Sequence, residues 1–208
     1  MNVYQEIAKR KIVPVVALEE EKNALALADA LIEGGLPVAE ITFRTAAAEE
    51  CIRVIAWERP GMLVGAGTIV SVDQAERAVA AGAKFLVTPG FSDEITAYAV
   101  ERGLPIFPGV CTPTEIMLAL KYNLPVVKFF PAAQYGGLAT IKALNGPFPN
   151  LKFMPTGGVS AANIKEYLAY PNIVACGGSW MVKNELIAAG KFDEIRQMTA
   201  EAVALANG

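Results

Sequence analysis

Short runs of β-branched, aromatic and other apolar residues alternate along this chain with longer stretches whose apolar positions recur at helical spacing. The runs fall at 12–18, 38–43, 63–68, 85–89, 105–110, 126–130, 152–156 and 173–178. Between and after them, helical periodicity covers 20–32, 46–57, 72–81, 92–102, 113–122, 138–144, 161–168 and 192–205. Several helix ends are written in the residues. Ser71, Ser92 and Ser160 suit N-cap positions, and Pro113 suits a first helical position after Thr112. Gly34, Gly82 and Gly103 suit left-handed C-terminal positions. Residues 1–10 predict one further short helix, placed beneath the barrel that the strands would form.

Strands alternating with helices predict a parallel sheet in an α/β fold. Eight such pairs in 208 residues allow roughly 26 residues per unit, tight but sufficient for a (β/α)8 TIM barrel. The competing arrangement is an open doubly wound sheet with a phosphate fingerprint of the GxGxxG kind. That fingerprint is missing, because Gly65-Ala66-Gly67-Thr68 continues into Ile69-Val70. The last strands also lack the polar character of sheet edges, which favours closure. No linker or low-complexity tract interrupts the chain, so residues 1–208 are expected to form a single domain.

Composition narrows the function more than the fold. Hydrophobic residues make up 53% and charged residues 19%, a balance that predicts extensive burial, including burial between subunits. A net charge of −3 supplies no basic field for nucleic acid, leaving small molecules or further copies of the chain as partners. Cys51, Cys111 and Cys176 form no CxxC pair and are expected to be reduced thiols. No cleavable leader is read in the first residues, and the longest uncharged run, 167–182, is broken by Pro171, Asn172 and two glycines. No membrane association and a cytoplasmic location are the resulting expectations. The chain contains no histidine. Histidine-based triads, zinc sites and proton relays are therefore excluded, and catalysis must use lysine, carboxylates, hydroxyls, tyrosine, cysteine or a bound cofactor.

Strands covered on both faces should be apolar throughout. Three ionisable residues break that rule. Alternation along 38–44 sets Glu40, Thr42 and Arg44 on one face, with Ala39, Ile41 and Phe43 on the face that meets helices. Glu40 and Arg44 thus point inward, Arg44 nearer the C-terminal mouth. Lys128 sits within Val126-Val127-Lys128-Phe129-Phe130. Burial disfavours the ammonium form, and a neutral lysine amine is the nucleophile of Schiff-base chemistry. The plainer alternatives are a buried Glu40–Arg44 ion pair and a lysine reaching for solvent at the mouth. Lys84 and Lys152 also fall on strands, but at their N-terminal starts, where solvent is close.

Catalytic residues of barrels gather at the C-terminal ends of strands. Those ends read Thr68, Thr88-Pro89-Gly90, Pro108-Gly109-Val110, Phe130-Pro131, Thr156-Gly157-Gly158 and Gly177-Gly178-Ser179. The glycine pairs on the last two strands offer backbone N–H groups to an anion such as phosphate, with the Ser160 or Ser179 hydroxyl nearby. Tight turning alone is the competing reason for those glycines. Tyr135-Gly136-Gly137 reads as a flexible loop.

Taken in order, Glu40-Ile41-Thr42-Phe43-Arg44-Thr45, Gly65-Ala66-Gly67-Thr68, Thr88-Pro89-Gly90, Lys128-Phe129-Phe130-Pro131, Pro155-Thr156-Gly157-Gly158 and Gly177-Gly178-Ser179-Trp180 span nearly the whole chain. The set resembles the bacterial 2-keto-3-deoxy-6-phosphogluconate aldolases, which often also cleave 2-keto-4-hydroxyglutarate. That resemblance implies a homotrimeric class I aldolase on a (β/α)8 barrel, with a 2-keto acid substrate and no metal or other cofactor. It implies that Lys128 is the Schiff-base lysine and Glu40 the general acid and base. Arg44 and Thr68 would bind the substrate carboxylate. Thr156, Gly157, Gly158, Gly178 and Ser179 would form the phosphate site, and Pro89 and Phe130 would wall the pocket. One departure stands out: some relatives carry an arginine at the end of the first strand, where this chain has Val16-Ala17-Leu18. The rival functions are a sister aldolase acting on the galactonate epimer, a phosphate-binding barrel isomerase or epimerase without a covalent lysine, and a non-catalytic binding protein.

Overall fold

The computed structural model describes residues 2–208; Met1, the first residue of the expected N-terminal helix, lies outside them. The chain begins with α1 (Val3–Arg10), capped by the Asn2 side chain, which accepts a hydrogen bond from the Gln5 N–H at 3.3 Å. Eight strand–helix passages follow. They are β1 (Ile12–Val16) and α2 (Ala24–Glu33), β2 (Val38–Thr42) and α3 (Ala48–Glu58), β3 (Leu63–Gly67) and α4 (Val72–Ala80), and β4 (Leu86–Val87) and α5 (Asp93–Glu101). Next come β5 (Ile106–Phe107) and β6 (Gly109–Val110) before α6 (Pro113–Lys121), then β7 (Val126–Phe129) and α7 (Gly137–Asn145). The chain ends with β8 (Lys152–Pro155) and α8 (Ile164–Leu168), then β9 (Cys176–Gly178), α9 (Asn184–Ala188) and α10 (Phe192–Asn207).

Every strand pairing is parallel. One sheet has six strands in the order β5-β4-β3-β2-β1-β9, the other three in the order β6-β7-β8. The expected run 105–110 is therefore split: Pro108 has no N–H to donate, and the ladder changes sheet there. On the far side, isolated parallel bridges Phe153↔Ile173 and Thr156↔Gly177 link the second sheet to the stretch that carries β9.

Parallel strands with helices on their outer faces bury both surfaces, and the burial shows it. Every residue of β2 and β3 is buried, glycines included. Four phenylalanines, Phe85, Phe107, Phe129 and Phe153, are the bulkiest fully buried side chains, and Phe85 meets Phe107 edge-on at 5.8 Å between ring centroids. The apolar core runs continuously from Val3 to Ala206. Helix α1 closes it at the N-terminal end of the strands: the Tyr4 hydroxyl donates to the Ile106 carbonyl and accepts from the Ile106 N–H, at 3.3 and 3.2 Å.

Capping follows the residues closely in places. Ser71 and Ser92 accept from the Gln74 and Ile95 N–H groups. Thr112, Pro113 and Glu115 form a full capping box. Gly82 and Gly103 are left-handed, as expected. Three expectations need correction. Ser160 does not cap a helix, because the Asn163 side chain accepts from the Ser160 N–H and donates to the Gly158 carbonyl, holding 160–163 in turns until α8 starts at Ile164. Gly34 stays right-handed at φ −73°, and Gly35 takes the left-handed turn at φ +83°. Gly34 is small for another reason: a Cβ there would lie 2.7 Å from Thr199 Cβ on α10. Finally, Gly136 and Gly137 are the start of α7, with left-handed Gly136 at its N-cap. Helix α9 had no clear signal, since Asn184–Ala188 is a single short turn.

Candidate active site

The contact that organises the site crosses from one sheet to the other. Glu40 lies at the centre of β2 in the six-stranded sheet, and Lys128 on β7 in the three-stranded one. Lys128 Nζ stands 3.5 Å from Glu40 Oε1, with the two side chains 5% and 0% exposed. Glu40 meets Lys128 from the face on which the alternation in 38–44 sets it. The Glu40 carboxylate accepts no hydrogen bond from the described residues, although both of its oxygens are buried. A buried, under-bonded carboxylate is costly, and such groups mark places where structure is held for chemistry. The nitrogen of Lys128 also lies 4.8 Å from the centre of the Phe130 ring, so the amine sits between a carboxylate and an aromatic face.

Arg44 lies beyond the end of β2 and is exposed. It forms no ion pair among the described residues, and Glu40 pairs with Lys128 instead. The inward-facing residue between them, Thr42, is occupied structurally: its hydroxyl donates to the Val16 carbonyl at 2.9 Å. Arg44 borders a cavity of about 210 Å³ with Phe130, Thr156, Gly157, Gly158, Gly178 and Ser179, joined by Val15, Val159 and Gly177. Seven sequence-predicted residues therefore share one opening. Thr68 and Pro89 stand outside that lining: each is half-buried at the end of its own strand, Thr68 after β3 and Pro89 after β4. Thr68 is left-handed at φ +57°.

The rim is shaped by missing side chains. Gly157 and Gly158 are left-handed, at φ +94° and +79°, and the loop after β7 packs onto them. The Ala132 and Ala133 N–H groups donate to the Thr156 and Gly157 carbonyls at 2.8 and 3.0 Å, and a Cβ on Gly158 would overlap Ala133 Cβ. A Cβ on Gly177 would overlap the Thr156 hydroxyl. That hydroxyl is buried and has no hydrogen-bond partner. Gly178 lies beneath the Trp180 ring, whose Cε3 would be 2.5 Å from an added Cβ. Gly177 was legible as the first of the Gly177-Gly178 pair, though without a role of its own; Val15 and Val159, ordinary apolar residues, carried no signal.

A second cavity of about 380 Å³ shares Val15, Arg44 and Ser179 and extends along Ala17, Trp180 and Lys183. Ala17, whose side chain is small, lies in the Val16-Ala17-Leu18 stretch at the end of β1, which offers no arginine to this flank. Larger clefts, of about 700 Å³ beside Trp57 and about 540 Å³ beside Lys11 and Lys165, contain none of the predicted site residues. Among the described residues no group of three or more cysteines and carboxylates could hold a metal ion, and no helix is long and apolar enough to cross a membrane.

Comparison with known proteins bears on this geometry. The family model for KDPG and KHG aldolase matches residues 3–198. The 2-dehydro-3-deoxy-phosphogluconate aldolase of Haemophilus influenzae is 46% identical over 202 residues, covering 97% of this chain and 95% of that protein. The protein of the same name from Treponema pallidum is 44% identical over 201 residues, covering 97% of this chain and 96% of its own. Among solved structures, the KDPG aldolase of Legionella pneumophila, with pyruvate captured at low pH as a covalent carbinolamine, superposes with a TM-score of 0.93. It is 37% identical and covers 96% of this chain and 97% of that one.

Proposed function

The chain belongs to the KDPG and KHG aldolase family, and we propose that it cleaves 2-keto-3-deoxy-6-phosphogluconate to pyruvate and glyceraldehyde 3-phosphate through a Schiff base on Lys128. It is a carbon–carbon lyase. The observation that carries the assignment of residues is the buried 3.5 Å contact between Lys128 Nζ and Glu40 Oε1.

For attack, Lys128 passes a proton to the Glu40 carboxylate 3.5 Å away, because only the neutral amine is a nucleophile. The neutral amine then attacks the C2 carbonyl of the substrate. Glu40 returns its proton to the carbinolamine hydroxyl, water departs, and a protonated imine forms. The ionised Glu40 next takes the proton of the C4 hydroxyl. As the C3–C4 bond breaks, its electron pair flows into the imine, giving an enamine on Lys128 and free aldehyde. Glu40 protonates C3, and hydrolysis releases pyruvate and the free lysine. One carboxylate thus serves as acid and base in turn. The Phe130 face lies where it can stabilise the cationic imine.

Arg44, with Thr68, holds the C1 carboxylate. Backbone groups of Gly157, Gly158 and Gly178, with the Thr156 and Ser179 hydroxyls, hold the phosphate, and Pro89 and Phe130 wall the pocket. The shared lining of the 210 Å³ cavity supports this division for all but Thr68 and Pro89, which rest on the family resemblance. The strand order, the β5–β6 continuity through Pro108 and the bridges from β8 toward β9 support a closed (β/α)8 barrel in one domain, 1–208. A homotrimer follows from the resemblance. The exposed Trp57, Val70 and Met117 are apolar surface that subunit contacts would cover, and light scattering should report about three times 22.1 kDa. The three free thiols suit a reducing compartment such as the cytoplasm.

The same steps convert 2-keto-4-hydroxyglutarate to pyruvate and glyoxylate. Pyruvate release from the gluconate substrate, its C4 epimer and hydroxyketoglutarate, with and without a chelator, tests the reading. We expect chelator-insensitive cleavage that prefers the gluconate form. Preference for the epimer would move the chain to the sister activity, and no pyruvate from any of them would overturn the reading.

A further inference from the structure

Strand β3 carries glycine at two alternate positions, Gly65 and Gly67, in register with Glu40 and Thr42 of β2. Neither has a positive φ, so neither is glycine for the sake of its backbone. Each makes room for a neighbour. Above Gly65 lies the Phe85 ring, whose Cδ2 would be 2.5 Å from an added Cβ. Above Gly67 lies the Glu40 side chain: an added Cβ would overlap Oε1 and approach Cγ and Cδ to 2.5 and 2.6 Å. Glu40 therefore leans along the sheet, from its register partner Gly65 onto the bare Cα of Gly67, toward the C-terminal ends of the strands.

Among the described residues that carboxylate has one ion-pair partner, Lys128. Its oxygens accept no hydrogen bond from backbone or side chain of the described residues. Its position is set by the contact with Lys128 on one side and the recess at Gly67 on the other. We propose that Gly67 is a positioning residue, whose missing Cβ forms the recess holding the Glu40 carboxylate against Lys128. A methyl group in that recess would push the carboxylate away from the amine while leaving the Gly67 backbone unchanged, including its carbonyl, which accepts from the Phe43 N–H at 2.8 Å. This inference rests on the reading of Glu40 as the acid and base.

A double-mutant cycle isolates the effect: the natural enzyme, Gly67→Ala, Glu40→Ala and the double variant. Cleavage, deuterium exchange into the methyl group of pyruvate, borohydride trapping with pyruvate, and melting temperature are measured on all four. Displacing a catalytic group by about 1 Å costs on the order of 100-fold, so Gly67→Ala should lower kcat and exchange by about that factor. KM should move less than about threefold, and trapping on Lys128 should persist. On the Glu40→Ala background, where the side chain is gone, the same methyl should cost less than about threefold in rate and nothing in melting temperature. Equal losses on both backgrounds, or an unaltered Gly67→Ala enzyme, would overturn the role of Gly67. If Gly67→Ala fails to fold while the double variant folds, the clash with Glu40 is confirmed; if both fail to fold, it is refuted. Full activity in Glu40→Ala would instead bring down the acid–base assignment itself, and Gly67 with it.

Discussion

The interior pair and the glycine rim hold their groups by opposite means. On β2 and β7 the paired atoms belong to side chains, buried and brought within 3.5 Å of each other by the fold. At the ends of β8 and β9 side chains are withheld, and the backbone of Gly157, Gly158 and Gly178 borders an open cavity with exposed Ser179. The difference suits the role proposed for each place. Proton transfer needs a fixed distance and a dry surrounding, whereas an incoming anion needs access and donors already in place. Arg44 joins the two, standing two residues past the end of the strand that carries Glu40 and exposed at the rim.

Substitutions in the two regions should therefore fail differently. Glu40→Gln keeps shape but cannot shuttle protons, and kcat should fall by roughly 10²–10⁴-fold with little change in KM. A large rise in KM instead would show that Glu40 binds rather than transfers. Gly158→Ala forces a left-handed alanine whose methyl overlaps Ala133 Cβ. Strain of that kind costs on the order of 1–3 kcal/mol, so kcat/KM for the phosphorylated substrate should drop by roughly 10–100-fold, mainly through KM. Hydroxyketoglutarate has no phosphate and should be affected far less; an equal loss for both substrates would place the phosphate elsewhere. Phe130→Leu keeps an apolar wall but removes the aromatic face 4.8 Å from Lys128 Nζ. The expected loss in kcat is several-fold, corresponding to about 1 kcal/mol. The smallest effect concerns the thiols. Burial pushes Cys176 up to about 12 and Cys51 up to about 11, so both stay protonated at pH 8. Neither should react with iodoacetamide there until the chain unfolds, and rapid labelling of the folded protein at either would contradict the burial.

The sequence made the strands and most helices legible because their spacing repeats, and the inward face of Glu40 because alternation on a strand leaves only two choices. Lys128 stood out because an amine is expensive among four apolar neighbours. What stayed illegible depended on contacts between distant parts of the chain. Nothing local shows that Glu40 pairs with Lys128 rather than Arg44, since β2 and β7 lie in different sheets. Nor could Gly34 be told from Gly35 at the end of α2: one is small because Thr199 presses on it, the other because the chain turns. Ser160 looked like a cap until the Asn163 side chain took the groups a helix start would have used. Thr68 and Pro89 entered as members of motifs, and the cavity that gathers Arg44, Phe130 and the residues of the glycine rim does not include them, nor does it include the buried Glu40 and Lys128.

The central claim is that Lys128 forms the covalent bond to substrate. Treating the enzyme with pyruvate and borohydride, followed by peptide mass mapping, tests it most directly. The account predicts one reduced pyruvate per chain, on the peptide carrying Lys128, and none in a Lys128→Met variant that has lost cleavage. An adduct on another lysine, or a Lys128→Met enzyme that still cleaves substrate at the natural rate, would contradict it.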